Sequence, residues 1–160
     1  MISENRGVSG SNGAAEWEPD IIAYCCSYCA TSAAVLAGSK RIQYPACVRI
    51  LQTPCTGKIE MEHILELFEK GVDGVLVAGC LAGGCHFVEG NLYARKRTER
   101  VCSLLNEIGI RGERLKMIHL SDSMATGFVD GIRDIIAKVK NLGPNPLKKV
   151  ERRLESTEGL

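Results

Sequence analysis

Residues 74–79, Gly74-Val-Leu-Val-Ala-Gly79, are apolar at every position. A strand with one wet face alternates polar and apolar side chains. A strand without alternation is covered on both faces, as in a parallel sheet flanked by helices. The run therefore predicts an α/β architecture, and the segments around it agree. Residues 20–25, 48–51 and 115–120 read as further strands. Between the strands, apolar residues recur at helical spacing. Residues 27–37 are Ala-rich and stop at Gly38, and residues 60–70 carry Met61, Ile64, Leu65 and Phe68. Residues 91–108 turn Leu92, Val101, Leu104, Leu105 and Ile108 inward. Residues 123–142 carry Phe128, Ile132, Ile135, Ile136 and Val139 on one stripe, which Gly143-Pro144 closes. Gly127 and Gly131 weaken that helix by roughly 1 kcal/mol each against Ala. They read as tolerated imperfections, with close packing as the other reading.

Alternating strands and helices imply a parallel sheet with right-handed crossovers. The expected fold is a small flavodoxin-like sheet of order 2-1-3-4 with helices on both faces. This α/β domain spans residues 19–143. Residues 1–18 read as a flexible N-terminal arm and residues 144–160 as a charged C-terminal tail. In the tail, Leu147, Val150 and Leu154 fall roughly on one helical face, suited to a partner.

Charge and hydropathy narrow the function. Lys+Arg 20 against Asp+Glu 19 leaves a net charge of +1, so the basic excess of a nucleic-acid binder is absent. No apolar run approaches the roughly 18 residues of a membrane span. The polar start, Met1-Ile2-Ser3-Glu4-Asn5-Arg6, does not read as a secretory leader, and none is expected. The expected location is the cytoplasm, where thiols stay reduced and disulfide frameworks are rare. Eight cysteines in such a chain suggest metal or redox chemistry.

The cysteines are not scattered. Cys25 and Cys26 end the first strand, and Cys29 lies in the first turn of the next helix. Cys55 follows the second strand. Cys80 ends the third, and Cys85 lies five residues on in a Gly-rich loop. Open α/β sheets hold their sites outside the carboxyl ends of the strands, where these thiols converge. Cys25 points away from Cys26 by strand alternation, so Cys26 is the candidate. Cys47 and Cys102 read as small core residues. The spacing fits a thiolate cage and does not choose the metal. An iron–sulfur cluster, a zinc ion, and a thiol redox pair of Cys26 and Cys29 at a helix N-terminus all remain open. His86 reads as a loop residue, His63 and His119 as structural. Arg95, Lys96, Arg97 and Arg100 are either a solvated helix face or a positive patch for an anionic cluster or acidic partner. No nucleotide-binding glycine pattern is present.

These residues resemble a known family, the iron–sulfur (delta) subunit of methyl-viologen-reducing hydrogenase, which works with heterodisulfide reductase in methanogens and related anaerobes. The resemblance runs from about Pro19 to Pro146. It rests on Ala23-Tyr-Cys-Cys-Ser-Tyr-Cys29, Gln43-Tyr-Pro45, Val48-Arg-Ile50, Cys55-Thr-Gly57, Gly71-Val-Asp-Gly-Val-Leu-Val77, Gly79-Cys80, Gly84-Cys85-His86, Gly90-Asn91 and Arg97. It implies one [2Fe–2S] cluster that passes electrons from a hydrogenase module, or in some relatives a formate dehydrogenase, to the flavin subunit of heterodisulfide reductase. The family's recurrent cysteines match Cys26, Cys29, Cys55, Cys80 and Cys85, five candidates for four ligand places. Leu81, Ala82 and Gly84 depart from the family pattern around the third motif, and Tyr28 stands where Trp is usual. The resulting expectation is a non-catalytic electron-transfer protein with no nucleic-acid or membrane partner. A zinc-stabilised adaptor and a thiol redox protein using Cys26 and Cys29 are the alternatives.

Overall fold

The computed structural model describes residues 17–148. Most of the expected arm, residues 1–16, and Val150 and Leu154 of the expected tail lie outside them. The elements run β1 (Ile21–Cys26), α1 (Cys29–Ser39), β2 (Val48–Thr53), α2 (Met61–Glu69), β3 (Gly74–Cys80), α3 (Gly90–Glu107), β4 (Leu115–Leu120) and α4 (Ala125–Leu142). A short 3-10 turn, Thr56–Lys58, follows β2. All strand pairs are parallel and the sheet order is β2-β1-β3-β4, as expected. Among the described residues no helix is long and apolar enough to cross a membrane.

Two cores form because side chains alternate across the strands. Ile21, Ala23 and Cys25 of β1 face Ala30, Ala33 and Ala37 of α1 and the apolar stripe of α4. Ile22 of β1 and Val75 and Val77 of β3 face Ile64 and Phe68 of α2 and Val101 and Leu105 of α3. β3 is buried along its whole length, as its composition requires. The α4 stripe read from the sequence is buried throughout. Each fully buried Ile or Phe contributes about 2 kcal/mol. Gly131 is more than a tolerated imperfection. A Cβ there would lie 2.6 Å from Ile118 Cδ1, so its absence lets α4 settle on β4.

Two expectations need correction. α1 starts at Cys29, two residues later than expected, because a turn at Ser27 and Tyr28 follows β1. On α3 the buried stripe is Asn91, Ala94, Thr98, Val101 and Leu105. Leu92 and Leu104 are half-buried, and Ile108 caps the helix exposed. Polar residues at two stripe positions hide the pattern from a hydropathy reading. β2 is the least covered strand: it lies at the sheet edge, and Ile50 and Leu51, on opposite faces, are both partly exposed.

At the amino-terminal edge of the sheet, Asp73 is fully buried just before β3. Its carboxylate accepts from the backbone N–H of Asp20 (2.8 Å) and of Asn145 (2.8 Å), and pairs with Lys148 (2.5 Å). Buried Arg114 donates to the carbonyls of Ile110, Asp73 and Pro144. Asn145 donates its side-chain amide to Phe68 and Val72, both at 2.8 Å. This network ties the chain after α4 back to the start of β3.

Candidate metal centre

The strand ends dictate where the thiols meet. Cys26 closes β1 and Cys80 closes its neighbour β3, so the two arrive side by side with Sγ atoms 3.6 Å apart. Cys55, two residues past β2, reaches Cys85 across the edge at 3.9 Å. Cys29, the first residue of α1, lies against Cys80. The five candidates thus gather at the carboxyl edge as two close pairs plus Cys29. The Cys26-x-x-Cys29 spacing suggests a different pairing from the one adopted, because the β1–β3 contact brings Cys26 to Cys80. All eight cysteines are free thiols. Among the described residues no group of three or more His, Cys, Asp or Glu side chains stands together as a ready site for a cation.

Backbone donors surround the sulfurs. The N–H of Ala30 points at Cys26 Sγ (3.3 Å) and that of Gly57 at Cys55 Sγ (3.4 Å). Burial pushes the thiols of Cys26, Cys55 and Cys80 above the ordinary range. Cys85 goes the other way. Burial acts upward on it too, but the N–H groups of Asn91, Phe87 and Gly90, together with the Cys55 thiol, outweigh it. Cys25 is fully enclosed in the α1–α4 core, and burial, then the neighbouring Cys26, pushes it up to about 12. It joins neither pair. Cys47 and Cys102 are half-buried and pack against the two cores, away from the thiol edge.

The chemistry of this donor set fits an iron–sulfur group. Gly90 lets the Cys55 sulfur lie directly against the start of α3, beside Cys85. A Cβ at this position would stand 2.3 Å from Cys55 Sγ and 3.5 Å from Cys85 Sγ. The backbones of Gly57 and Gly90 also touch, since a Cβ on Gly57 would lie 2.7 Å from Gly90 Cα. Gly90→Ala is therefore expected to lose more than half of any iron the chain holds, while its thermal midpoint changes little. Iron per folded chain, with circular dichroism as the check on folding, measures this. Full iron in the variant would mean that Cys55 can swing aside freely.

The remaining candidates separate cleanly. His86 stacks on Tyr28 with ring centroids 4.0 Å apart, and Phe87 packs edge-on against both. His63 accepts from the N–H of Glu60 and caps α2. His119 Nδ1 meets the Cys80 carbonyl at 2.9 Å. Within the basic group only Arg97 turns inward. It donates to the carbonyls of Gly57 (2.7 Å) and Ile59 (3.3 Å) and pairs with Glu60, which clamps the Cys55 turn onto α3. Arg95 pairs with Glu99, and Lys96 and Arg100 are exposed. Gly90, Asn91 and Arg97 carry the resemblance without an assigned role. A glycine opening a helix immediately before an asparagine was the available signal for them.

The family model described as "Methyl-viologen-reducing hydrogenase, delta subunit" matches residues 21–143. The chain is 46% identical over 131 residues to the iron–sulfur subunit of the vhu F420-non-reducing hydrogenase of Methanocaldococcus jannaschii, covering 82% of this chain and 98% of that one. It is 40% identical over 129 residues to the iron–sulfur subunit of the F420-non-reducing hydrogenase of Archaeoglobus profundus, covering 81% and 94%. It is also 35% identical over 126 residues to a component of the ferredoxin:CoB-CoM heterodisulfide reductase of Methanosarcina mazei, covering 79% of this chain but 16% of that one.

Proposed function

The chain belongs to the methyl-viologen-reducing hydrogenase delta-subunit family of electron-transfer subunits, and from that premise we propose that it carries one [2Fe–2S] cluster. Its role is to relay electrons from a hydrogenase or formate dehydrogenase module to the flavin subunit of a heterodisulfide reductase. The observation that carries the reading is the thiol arrangement. A [2Fe–2S] cluster takes four thiolates, two on each iron. Two close pairs, Cys26 with Cys80 and Cys55 with Cys85, suit that division, and Cys29 is the fifth thiol beside Cys80. The bound cluster supplies a one-electron store. The chain's own residues bury the thiols, aim N–H groups at them and hold the loops that carry them.

The partner contact belongs at the same edge, because a relay needs short gaps on both sides. There Tyr28, His86 and Phe87 form an aromatic face, with Phe87 half-exposed. Val88 beside them is 79% exposed and sits at φ 62, a conformation costly for a β-branched residue. In the Methanosarcina mazei reductase the matching segment is a minor part of a much longer polypeptide. That arrangement supports a direct contact between this chain and a reductase component of that kind.

The test has two stages. Anaerobically purified chain should contain about two irons and two acid-labile sulfides. A colourless preparation holding zinc would point to an adaptor instead. With its partner complex the chain should conduct electrons from donor to flavin, and Cys80→Ala should stop that flow after being shown to bind its partners. If that variant binds and the flavin is still reduced at the normal rate, the chain is a scaffold.

A further inference from the structure

Asn91, the second residue of α3, is fully buried. Its side-chain amide donates to the carbonyls of Cys80 (3.0 Å) and Leu81 (2.8 Å), and its backbone N–H faces the Cys85 thiol. One residue therefore ties both ends of the Cys80-x4-Cys85 segment to the start of one helix. The Cys80 carbonyl is filled from two sides, by Asn91 and by His119, and the Leu81 carbonyl also accepts from the N–H of Gly84. The Oδ1 of Asn91 is buried with no partner. An unpaired buried acceptor is unfavourable, and a leucine would fill much the same space without it. What asparagine supplies here is its pair of donors.

We propose that Asn91 is a positioning residue of the thiol centre. It holds the peptide after Cys80 and the first turn of α3 in fixed relation, and so sets the placement of Cys80 and Cys85 toward a bound cluster. This rests on the reading of those thiols as iron–sulfur ligands. Groups that orient metal ligands commonly change affinity about 10- to 100-fold when removed, and hydrogen bonding around a cluster tunes its potential.

The fold contains its own control. Asn145 is equally buried and also donates to two carbonyls, those of Phe68 and Val72, but at the opposite edge of the sheet. The experiment compares full-length Asn91→Leu, Asn91→Asp and Asn145→Leu, each loaded anaerobically with iron and sulfide. The readouts are iron loss to a chelator, the paramagnetic resonance spectrum of the reduced centre, its reduction potential, and thermal stability. The two Asn91 variants should lose iron about 10- to 100-fold faster than wild type, with an altered spectrum and a shifted potential. Asn145→Leu should lose comparable thermal stability and keep all three at wild-type values. Asn91→Asp preserves the shape of the side chain, so it carries the test if the leucine variant does not fold. Wild-type chelator kinetics and spectrum in the Asn91 variants would overturn the proposal. So would an equal change in Asn145→Leu, which would mark the effect as general loosening. Wild-type chain that binds no iron at all would instead overturn the cluster reading beneath it.

Discussion

Anaerobically purified Cys80→Ala and Cys55→Ala are each expected to come out nearly free of iron. Each is the one candidate thiol delivered by its strand end, and each is half of a close pair. Removing either leaves one thiolate where a pair stood; Cys29 is outside both pairs, and no histidine stands in reserve, since His119 engages the Cys80 carbonyl and His86 is held in an aromatic stack. The loss should not be a folding effect. Cys55 and Cys80 are both buried, but each substitution replaces a thiol by hydrogen and removes only one sulfur atom, for which a typical cost is about 1 kcal/mol. Cys47→Ala and Cys102→Ala are the controls, with full iron and a similar small loss of stability. Iron per chain, referred to a folded fraction measured by circular dichroism, decides the matter. Full iron in both Cys55→Ala and Cys80→Ala would dismantle the proposed cage.

Asp73→Ala is expected to act on stability and leave the thiol edge alone. The carboxylate is fully enclosed and serves three donors: the N–H of Asp20, the N–H of Asn145 and the ammonium of Lys148. Its removal strands two backbone donors and unpairs a charge, at a cost of about 3 kcal/mol, or roughly 6–12 °C in thermal midpoint for a chain of this size. The proposed cluster site lies at the other end of β3, so iron content and the spectrum should be unchanged. A drop in iron equal to that in Cys80→Ala would mean that the two edges are mechanically coupled. An unchanged midpoint would mean that water replaces the carboxylate at no cost.

Most of the architecture was legible because it follows from periodicity. The unbroken apolar run of β3 required cover on both faces, and the α4 stripe is buried residue for residue. The strand order is that of the small flavodoxin-like sheet that the alternation suggested. What stayed hidden depends on pairs distant along the chain. The partnership of Cys26 with Cys80 spans 54 residues and comes from β1 lying beside β3, whereas sequence spacing favoured Cys29. The Asp73 network joins residues 72 and 75 positions apart. Asn91 and Thr98 occupy core positions on α3 that a hydropathy pattern leaves to solvent. The thiol edge itself was readable, since three strands deliver cysteines to it; the division into pairs was not.

The separation between paired thiols also orders events in the life of the chain. Cys26 and Cys80 become neighbours only once β1 has found β3, and Cys55 faces Cys85 only after β2 has joined and α3 has begun. A nascent chain emerging from the ribosome presents these sulfurs one at a time, with no two of a pair near each other. Loading of the proposed cluster is therefore a late step, performed on a finished scaffold. Until then all eight cysteines are free thiols, and under the proposed reading the interval between synthesis and loading is when they are open to oxidation.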